Sequence, residues 1–465
     1  MDIAALEQSL AEDLACLGLP MEPWVISREG VKDVVVIGGG MTGLSVAAAL
    51  RLHGVANLSV LDRSPAGQEG PWVTTARMHT LRTAKVATGP ALGIAALTYR
   101  RWHEARYGKA SWNALERIDR QDWMAYLVWY RRVMAVPVEN GAEVARIVPQ
   151  PDGTIVLHVV RDGEGAQLRT RHLVLATGFD GFGGPAFPPF LRGLGRHLWR
   201  HTAEEIDFAA LKGRRIGVVG FGASALDNAS TALEAGAASV DFFVRRTDLP
   251  AVQKLAPLRG AGFSCGYPDL PDEWKLRLSG YEMRTQNPPP RHSIVRLLRH
   301  ERLRLHLGCP VEAAREEGGA IVLATQRGEH GVDFLILATG FDQKADARPE
   351  LAEILPHIRL WKDAHPEAAG HPLAASPYLD AGFAFQEKVP GACPSLRNIY
   401  CPTDASILSK GRLAVGVGNL SDATMTILRR IASSLFVEDR AAYFRLAEQN
   451  ERREFDMAEL AHIIA

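Results

Sequence analysis

The stretch from Asp33 to Arg63 constrains the fold more tightly than any other. Val34-Val35-Val36-Ile37 is a β-branched run without polar alternation, which predicts a buried parallel strand. Leu44 to His53 is rich in Ala and Leu and is followed by Gly54, which predicts a helix and its stop. A second strand, Leu58-Ser59-Val60-Leu61, ends at Asp62 and Arg63. Between the first strand and the helix lies Gly38-x-Gly40-x-x-Gly43. At this spacing the first glycine allows a tight turn, the second lets a pyrophosphate approach the backbone, and the third lets helix and strand pack closely. Unpaired N–H groups and the dipole at the helix start favour that anion. An acid closing the second strand, here Asp62, is placed to grip an adenosine ribose hydroxyl. Strand, turn, helix and acid together predict a dinucleotide-binding unit. The plainer alternative is a glycine-rich strand-to-helix turn of any α/β domain.

A second such unit follows. Ile216-Gly217-Val218-Val219 leads into Gly220-Phe221-Gly222-Ala223-Ser224-Ala225, then a helical run to Glu234 and a strand over Val240 to Val244. The spacing Gly-x-Gly-x-x-Ala is a variant of the same fingerprint. Arg245 and Arg246 stand where Asp62 stood. Guanidinium groups bind a 2′-phosphate in fork geometry, whereas an acid repels it. The first unit therefore suits a cofactor without a 2′-phosphate and the second suits NADPH, unless the arginines are only a solvated turn.

Two near-identical segments bracket the second unit: Leu173-Val174-Leu175-Ala176-Thr177-Gly178-Phe179-Asp180 and Leu335-Ile336-Leu337-Ala338-Thr339-Gly340-Phe341-Asp342. Each reads as a buried strand ending in small residues, where a backbone can press on a ligand or cross between domains. The bracketing predicts an α/β fold of two Rossmann-like domains, the NADPH domain inserted into the first. The expected boundaries are 1–185 and 336–465 for the first domain and 186–335 for the insertion.

The remaining segments are less specific. Residues 2–18 read as an amphipathic helix covering a domain edge. Gly67 to Pro90 is irregular and holds Trp72, Arg77, Arg82 and Lys85; it reads as a segment wrapping the cofactor, with an ordinary surface loop as the alternative. Trp123, Tyr126, Trp129 and Tyr130 recur at helical spacing, which favours a core-packing face over a substrate-stacking wall. His79 and His103 read as structural. Asp152-Gly153 marks a hairpin turn. Tyr267 to Pro290 reads as a proline-rich loop or lid, and His365 to Ala392 as another irregular stretch. Gly416 and Gly418 precede a final helix from about Thr424 to Phe436, placed to offer N–H groups to a ring edge.

Formal net charge is zero, which gives no argument for nucleic acid or an anionic membrane. Five scattered cysteines without a C-x-x-C pair fit reduced thiols in a cytoplasmic protein. No metal ligand set is evident.

An acid-ended and an arginine-ended site on one chain suggest a flavin supplied with electrons by NADPH. On these motifs, from Asp33 to the last helix, the chain resembles the class B flavoprotein monooxygenases, which include flavin-containing, Baeyer–Villiger and N-hydroxylating enzymes. The resemblance implies FAD at Gly38, Gly40, Met41, Thr42, Gly43, Asp62, Arg63, Trp72, Gly178 and Asp404. It implies NADPH at Gly220, Gly222, Ala223, Ser224, Arg245, Arg246, Ala338, Thr339 and Gly340. Gly70-Pro71-Trp72 is similar to the family's Gly-Gly-x-Trp step, and Asn398 to Asp404 to its late strand, with Thr403 replacing the usual Gly. The linker fingerprint near Gly195 to Thr202 is faint, and Ala84 stands where an Asn beside the flavin is common. Gly70 to Gly89 and Ser376 to Cys401 look closer to bacterial FAD-dependent urate hydroxylases.

The activity implied is hydroxylation of a small molecule with NADPH and O₂ through a C4a-(hydro)peroxyflavin, the substrate being a purine such as urate or an amine. No acid–base dyad is expected, because the flavin carries the chemistry. Arg77, Arg82 and Lys85 are candidates for positioning the ring or an anionic substrate, or are surface charges. A disulfide reductase lacks its cysteine pair here, while an NADPH-binding reductase or redox sensor without oxygenase activity stays open, as does a homo-oligomer.

Overall fold

The computed structural model describes the chain apart from residues 1, 180, 259, 413–415, 461 and 464–465. Asp180, the end of the first bracketing segment, thus lies outside the described residues.

Helix α1 (Ile3–Cys16) buries Leu6 and Leu10, and its start is capped by the Asp2 carboxylate. Strand β1 (Val31–Ile37), helix α2 (Met41–Leu52) and strand β2 (Leu58–Asp62) form the expected unit. Helices α3 (Tyr99–Tyr107), α4 (Lys109–Ala114) and α5 (Arg120–Val133) precede β3 (Val138–Asn140), β4 (Ala142–Pro149), β5 (Ile155–Arg161) and β6 (Glu164–Leu175). These strands lie in the order β3-β2-β1-β6-β5-β4. β1 runs parallel to both β2 and β6, whereas β4, β5 and β6 form an antiparallel meander through the Asp152-Gly153 turn. Val34, Val35 and Val36 are fully buried, as a central parallel strand covered on both faces requires.

The chain leaves this sheet through β7 (Gly184–Pro185) and builds a second one. Its elements are β8 (Trp199–His201), β9 (Arg215–Val219), α6 (Ala223–Glu234), β10 (Ser239–Val244), α7 (Ala261–Gly266), α8 (Asp272–Thr285), α9 (Arg291–Leu297) and β11 (Leu303–Leu307). An antiparallel sheet of β12 (Val311–Glu317), β13 (Ala320–Thr325) and β14 (Gly328–Val332) follows, then β15 (Phe334–Leu337). The second sheet is parallel throughout, in the order β11-β10-β9-β15-β8. The expected division between 335 and 336 falls inside β15, a strand whose partners β9 and β8 both belong to this sheet. The chain returns through β16 (Phe341–Asp342), which pairs antiparallel with β7.

Helix α10 (Trp361–Ala364) and β17 (Ile399–Tyr400) come next, with β17 joining the first sheet beside β6. Helices α11 (Ile407–Lys410), α12 (Leu420–Glu438) and α13 (Arg440–Glu448) end the described fold, α12 packing on α2. No described helix is long and apolar enough to cross a membrane.

Two expectations are corrected. Tyr267 to Pro290 is not a loop throughout, because α8 occupies fourteen of its residues. Pro271 sits at its N-cap, Asp272 and Glu273 in its first turn and Arg284 in its last, all suited to a helix. The last helix is α13 rather than one ending at Phe436, and α12 begins four residues before Thr424.

Candidate functional site

The first glycine turn is shaped by contacts that admit no side chain. Gly38 has φ +106°, and a Cβ there would overlap the carbonyl oxygen of Ala176. A Cβ on Gly43 would overlap the carbonyl of Gly38. Gly40 differs: its φ is −71°, and the nearest atoms to a built Cβ belong to Gly70 at 3.9 Å. Gly40 therefore keeps open space in front of the start of α2, which no side chain caps. That combination fits a pyrophosphate lying across the Met41 and Thr42 end of the helix.

Asp62 is buried, and both its oxygens bind backbone. Oδ2 accepts from the Gly39 N–H at 2.7 Å and Oδ1 from the Ser64 N–H at 2.7 Å. The acid thus also fixes the turn itself. Beside it lies a cavity of about 510 Å³ lined by Gly39, Gly40, Leu44, Glu69, Leu127 and Arg131, among others. Arg131 donates to Glu69 at 2.8 Å and to the Val138 carbonyl at 2.7 Å, while Asn140 donates to Glu69 at 2.7 Å. Sequence reading missed this trio. Its only sequence signal is Glu69, seven residues past Asp62, whose partners lie on α5 and β3. Arg63 is exposed and makes no hydrogen bond with a described residue. Trp72 packs edge-on against Trp123 at 6.1 Å, and its carbonyl accepts from Arg120.

The second turn repeats the first. Gly220 also has φ +106°, and its Cβ would lie 2.7 Å from the Ala338 carbonyl oxygen. Gly222 is the uncapped start of α6 with nothing within 4 Å of a built Cβ. Ala176 and Ala338 donate to Ile37 and Val219 at 2.8 and 3.0 Å, so each bracketing strand presses a carbonyl on its unit's first glycine. This accounts for the repeated Ala-Thr-Gly. The later residues of the repeats serve the crossing: Thr339 Oγ1 donates to the Ala186 carbonyl at 2.5 Å, and Gly178 and Gly340 both have positive φ. Ala223 and Ser224 open α6, the Ser224 side chain exposed.

The arginine pair is divided. Arg245 is exposed and has no partner among the described residues. Arg246 donates through both terminal nitrogens to the Arg284 carbonyl at 3.2 Å, at the end of α8.

The wrapping-segment cations also part company. Arg82 bonds to Asp227 on α6 at 3.0 Å, joining the first unit to the second. Arg77 stacks 5.3 Å from the Phe208 ring centre, and its carbonyl accepts from Arg296 at 2.7 Å. Lys85 donates to the carbonyls of Trp112 and Leu115 at 2.8 and 2.6 Å, closing the end of α4. Lys85 is thus bound into the fold. Tyr126 and Tyr130 are fully buried and donate to the carbonyls of Leu97 and Pro90, so that face is core. His103 lies between Tyr99 and Ser111.

Asp404 is half-buried after β17 and its carboxylate makes no hydrogen bond with a described residue; burial pushes its carboxyl up to about 6. Thr403, in place of the usual Gly, accepts from the Ala405 N–H and packs in the interior. Ser421 at the start of α12 donates to the Gly89 carbonyl at 2.8 Å and fastens the end of the wrapping segment there.

A family model described as L-lysine 6-monooxygenase/L-ornithine 5-monooxygenase matches residues 30–258. Over 450 residues, 95% of each chain, this protein is 39% identical to the FAD-dependent urate hydroxylase of Xanthomonas campestris pv. campestris. The chain belongs to the class B flavoprotein monooxygenases. Among solved structures, this monooxygenase superposes on the ornithine hydroxylase of Pseudomonas aeruginosa with a TM-score of 0.69 at 18% identity, covering 87% of this chain and 100% of that one. The ornithine N-hydroxylase of Kutzneria sp. 744, in a complex with reduced FAD, NADP⁺ and L-ornithine, gives 0.67 at 18% identity, covering 87% and 99%. These two likenesses establish the fold of the monooxygenase.

Proposed function

We propose that this monooxygenase hydroxylates an oxopurine such as urate, using NADPH and O₂. The observation that carries this reading is the 39% identity to a urate hydroxylase along 95% of both chains, well beyond the two nucleotide-binding turns. The family model named for lysine and ornithine oxygenases covers a smaller part, residues 30–258, which holds both glycine turns. An amine substrate is the second reading.

When bound, FAD would supply hydride acceptance and oxygen activation. The protein's part is to bind, orient and exclude water. Gly38, Gly40 and Gly43 admit the FAD pyrophosphate to the start of α2, where Met41 and Thr42 present N–H groups, and Asp62 turns toward the ribose. Trp72 closes the edge of the wrapping segment. Gly220 and Gly222 do the same for NADPH at α6, with Ala223 and Ser224 at the helix start and Arg245 free to meet the 2′-phosphate. Arg246, bound to α8, orients that turn. Arg82, bonded to Asp227 of α6, and Arg77, whose carbonyl accepts from Arg296 of α9, hold the wrapping segment against the NADPH-binding side. We further propose that the second sheet and its helices form a unit inserted into the FAD domain, ending after β15.

The test is substrate-dependent NADPH oxidation with purified, FAD-loaded protein, comparing urate, xanthine, ornithine and lysine, with peroxide measured in parallel. Urate should raise oxidation and lower the peroxide released per NADPH. Stimulation by ornithine or lysine alone would support the amine reading. Oxidation that no compound stimulates, all of it ending in peroxide, would support a reductase.

A further inference from the structure

A cavity of about 330 Å³ is lined by none of the residues assigned above to FAD or NADPH. Its walls come from α8, α10, α11, α12 and the segment from Tyr378 to Gln386. The volume suits a small molecule.

The charges on its walls are not equivalent. Lys275 donates to Asp272 at 3.1 Å, and the same carboxylate accepts from the Tyr378 hydroxyl at 2.6 Å and faces His365 at 2.9 Å. Asp380 accepts from the N–H groups of Gly382 and Ala384 and from Arg430 at 3.2 Å. Asp269 is exposed to water. Lys410 stands alone: it is 4% exposed and makes no hydrogen bond or ion pair with any described residue. Its Nζ lies 5.6 Å from the centre of the Phe383 ring, which shares the cavity wall. Burial pushes this ammonium down to about 8, the behaviour of a buried cation short of a counterion.

The other walls mix apolar and hydroxyl groups: Leu379, Ala381, Phe383 and Tyr378 beside Ser409 and Thr426. The Tyr378 hydroxyl is already bonded to Asp272, so this half-exposed ring offers carbon surface to an occupant, and Trp361 packs fully buried behind the wall with its N–H on Ser409 Oγ at 2.9 Å. The Gln386 amide, on the same wall, has no side-chain hydrogen bond among the described residues.

We propose that this cavity binds a compact planar anion, whose charge is met by Lys410 and whose ring lies against Tyr378. A buried ammonium without a partner is costly, and an anion removes that cost. The same ammonium repels a substrate amine. A deprotonated oxopurine and an aromatic carboxylate share the required chemistry, the first as substrate and the second as effector. The inference rests on the proposed function only for the choice of urate as one probe.

FAD-loaded enzyme without NADPH is titrated with urate and, separately, with benzoate, by calorimetry and tryptophan fluorescence. Wild type, Lys410→Met and Lys410→Arg are compared. At least one anion should bind wild type. Its Kd should rise about tenfold or more in Lys410→Met, the loss of one charge-assisted contact, and stay within roughly threefold in Lys410→Arg, with FAD content unchanged. A rise in the KM for urate in Lys410→Met assigns the site to substrate; benzoate binding that depends on Lys410 while the urate KM does not move assigns it to an effector. No binding of either anion to wild type, or unchanged Kd in Lys410→Met, overturns the proposal. If urate drives no NADPH oxidation but benzoate binding depends on Lys410, the urate reading falls and the site stands. If urate drives oxidation and Lys410→Met alters neither KM nor Kd, the site falls and the urate reading stands.

Discussion

Gly40 and Gly43 are three residues apart, yet their substitution should fail in different ways. A side chain at Gly43 collides with the Gly38 carbonyl, so Gly43→Val should not fold. At Gly40 the backbone is ordinary, and the protein leaves 3.9 Å of room. Gly40→Val should therefore keep the circular dichroism of wild type and lose most of its FAD, read from the 450 nm absorbance per protein. A folded, fully yellow Gly40→Val protein would show that the pyrophosphate lies elsewhere. The division of the arginines sharpens a second outcome. Arg245 has no partner among the described residues and Arg246 is held by Arg284, so Arg245→Ala alone should raise the KM for NADPH about 10- to 100-fold, one charge-assisted contact to phosphate, with the KM for NADH unchanged. Equal loss for both nucleotides would make the pair structural. Lys410 makes a third case. Its folded pKa of about 8 lies below the usual lysine value, so the charged form opposes folding below that pH, and stability is recovered as pH rises through 8 toward 10.5. Lys410→Met should thus raise Tm at pH 7, by a gain on the order of 3 kcal/mol, and the difference should shrink above pH 9. A lower Tm at pH 7 would mean that the ammonium is matched.

At the scale of elements, the contact between the two nucleotide-binding sides rests on α6 and α9. Arg296 on α9 reaches Glu234 at 2.6 Å, Thr231 at 3.0 Å and the Arg77 carbonyl at 2.7 Å. Arg296→Ala should loosen the wrapping segment on α6, leaving the Arg82–Asp227 bond as its remaining tie. NADPH-driven flavin reduction in stopped flow should slow several-fold, with FAD content kept; an unchanged rate would leave the contact without a part in hydride transfer. The elements legible in sequence were those whose burial follows a period. β1, α2, β9 and α6 read correctly because their apolar runs meet a glycine turn at a fixed offset. α8 did not, because its buried face includes Lys275, Ser279 and Gly280, which carry no apolar 3.6-residue signal. The glycine turns were readable for the same local reason, whereas Glu69 with Arg131 and Lys410 with Phe383 meet only through tertiary folding. No spacing along the chain announces such pairs.

At the scale of the whole molecule, the last helices are anchored under the first sheet by a buried ion cluster. Arg171 is 1% exposed and reaches Asp33 at 3.4 Å, Glu438 at 2.8 Å and Asp439 at 2.7 Å. Arg171→Met should cost about 3–5 kcal/mol, because buried Asp33 loses its cation, although Arg28 still reaches Asp439 at 3.0 Å and Glu438 at 3.8 Å. Burial opposes ionisation of Glu438, but the His172 ring at 3.5 Å and the Arg171 guanidinium at 2.8 Å outweigh it and hold its carboxyl below the usual range. With a depressed folded pKa, its contribution is present above the unfolded value of about 4.3 and lost as pH falls below it. Tm measured from pH 7 to 3 should fall less steeply in Glu438→Gln than in wild type; parallel curves would remove Glu438 as the acid-sensitive group. Finally, the β7–β16 ladder brings the outgoing and returning chain side by side, with the Ala186 N–H on the Gly340 carbonyl at 2.9 Å. Two cut ends that already touch can be joined by a short linker without stretching either. The segment between them should therefore behave as a transferable cassette: excised and expressed alone, it should fold cooperatively and retain NADPH, and the remainder, closed by a few glycines, should still turn yellow.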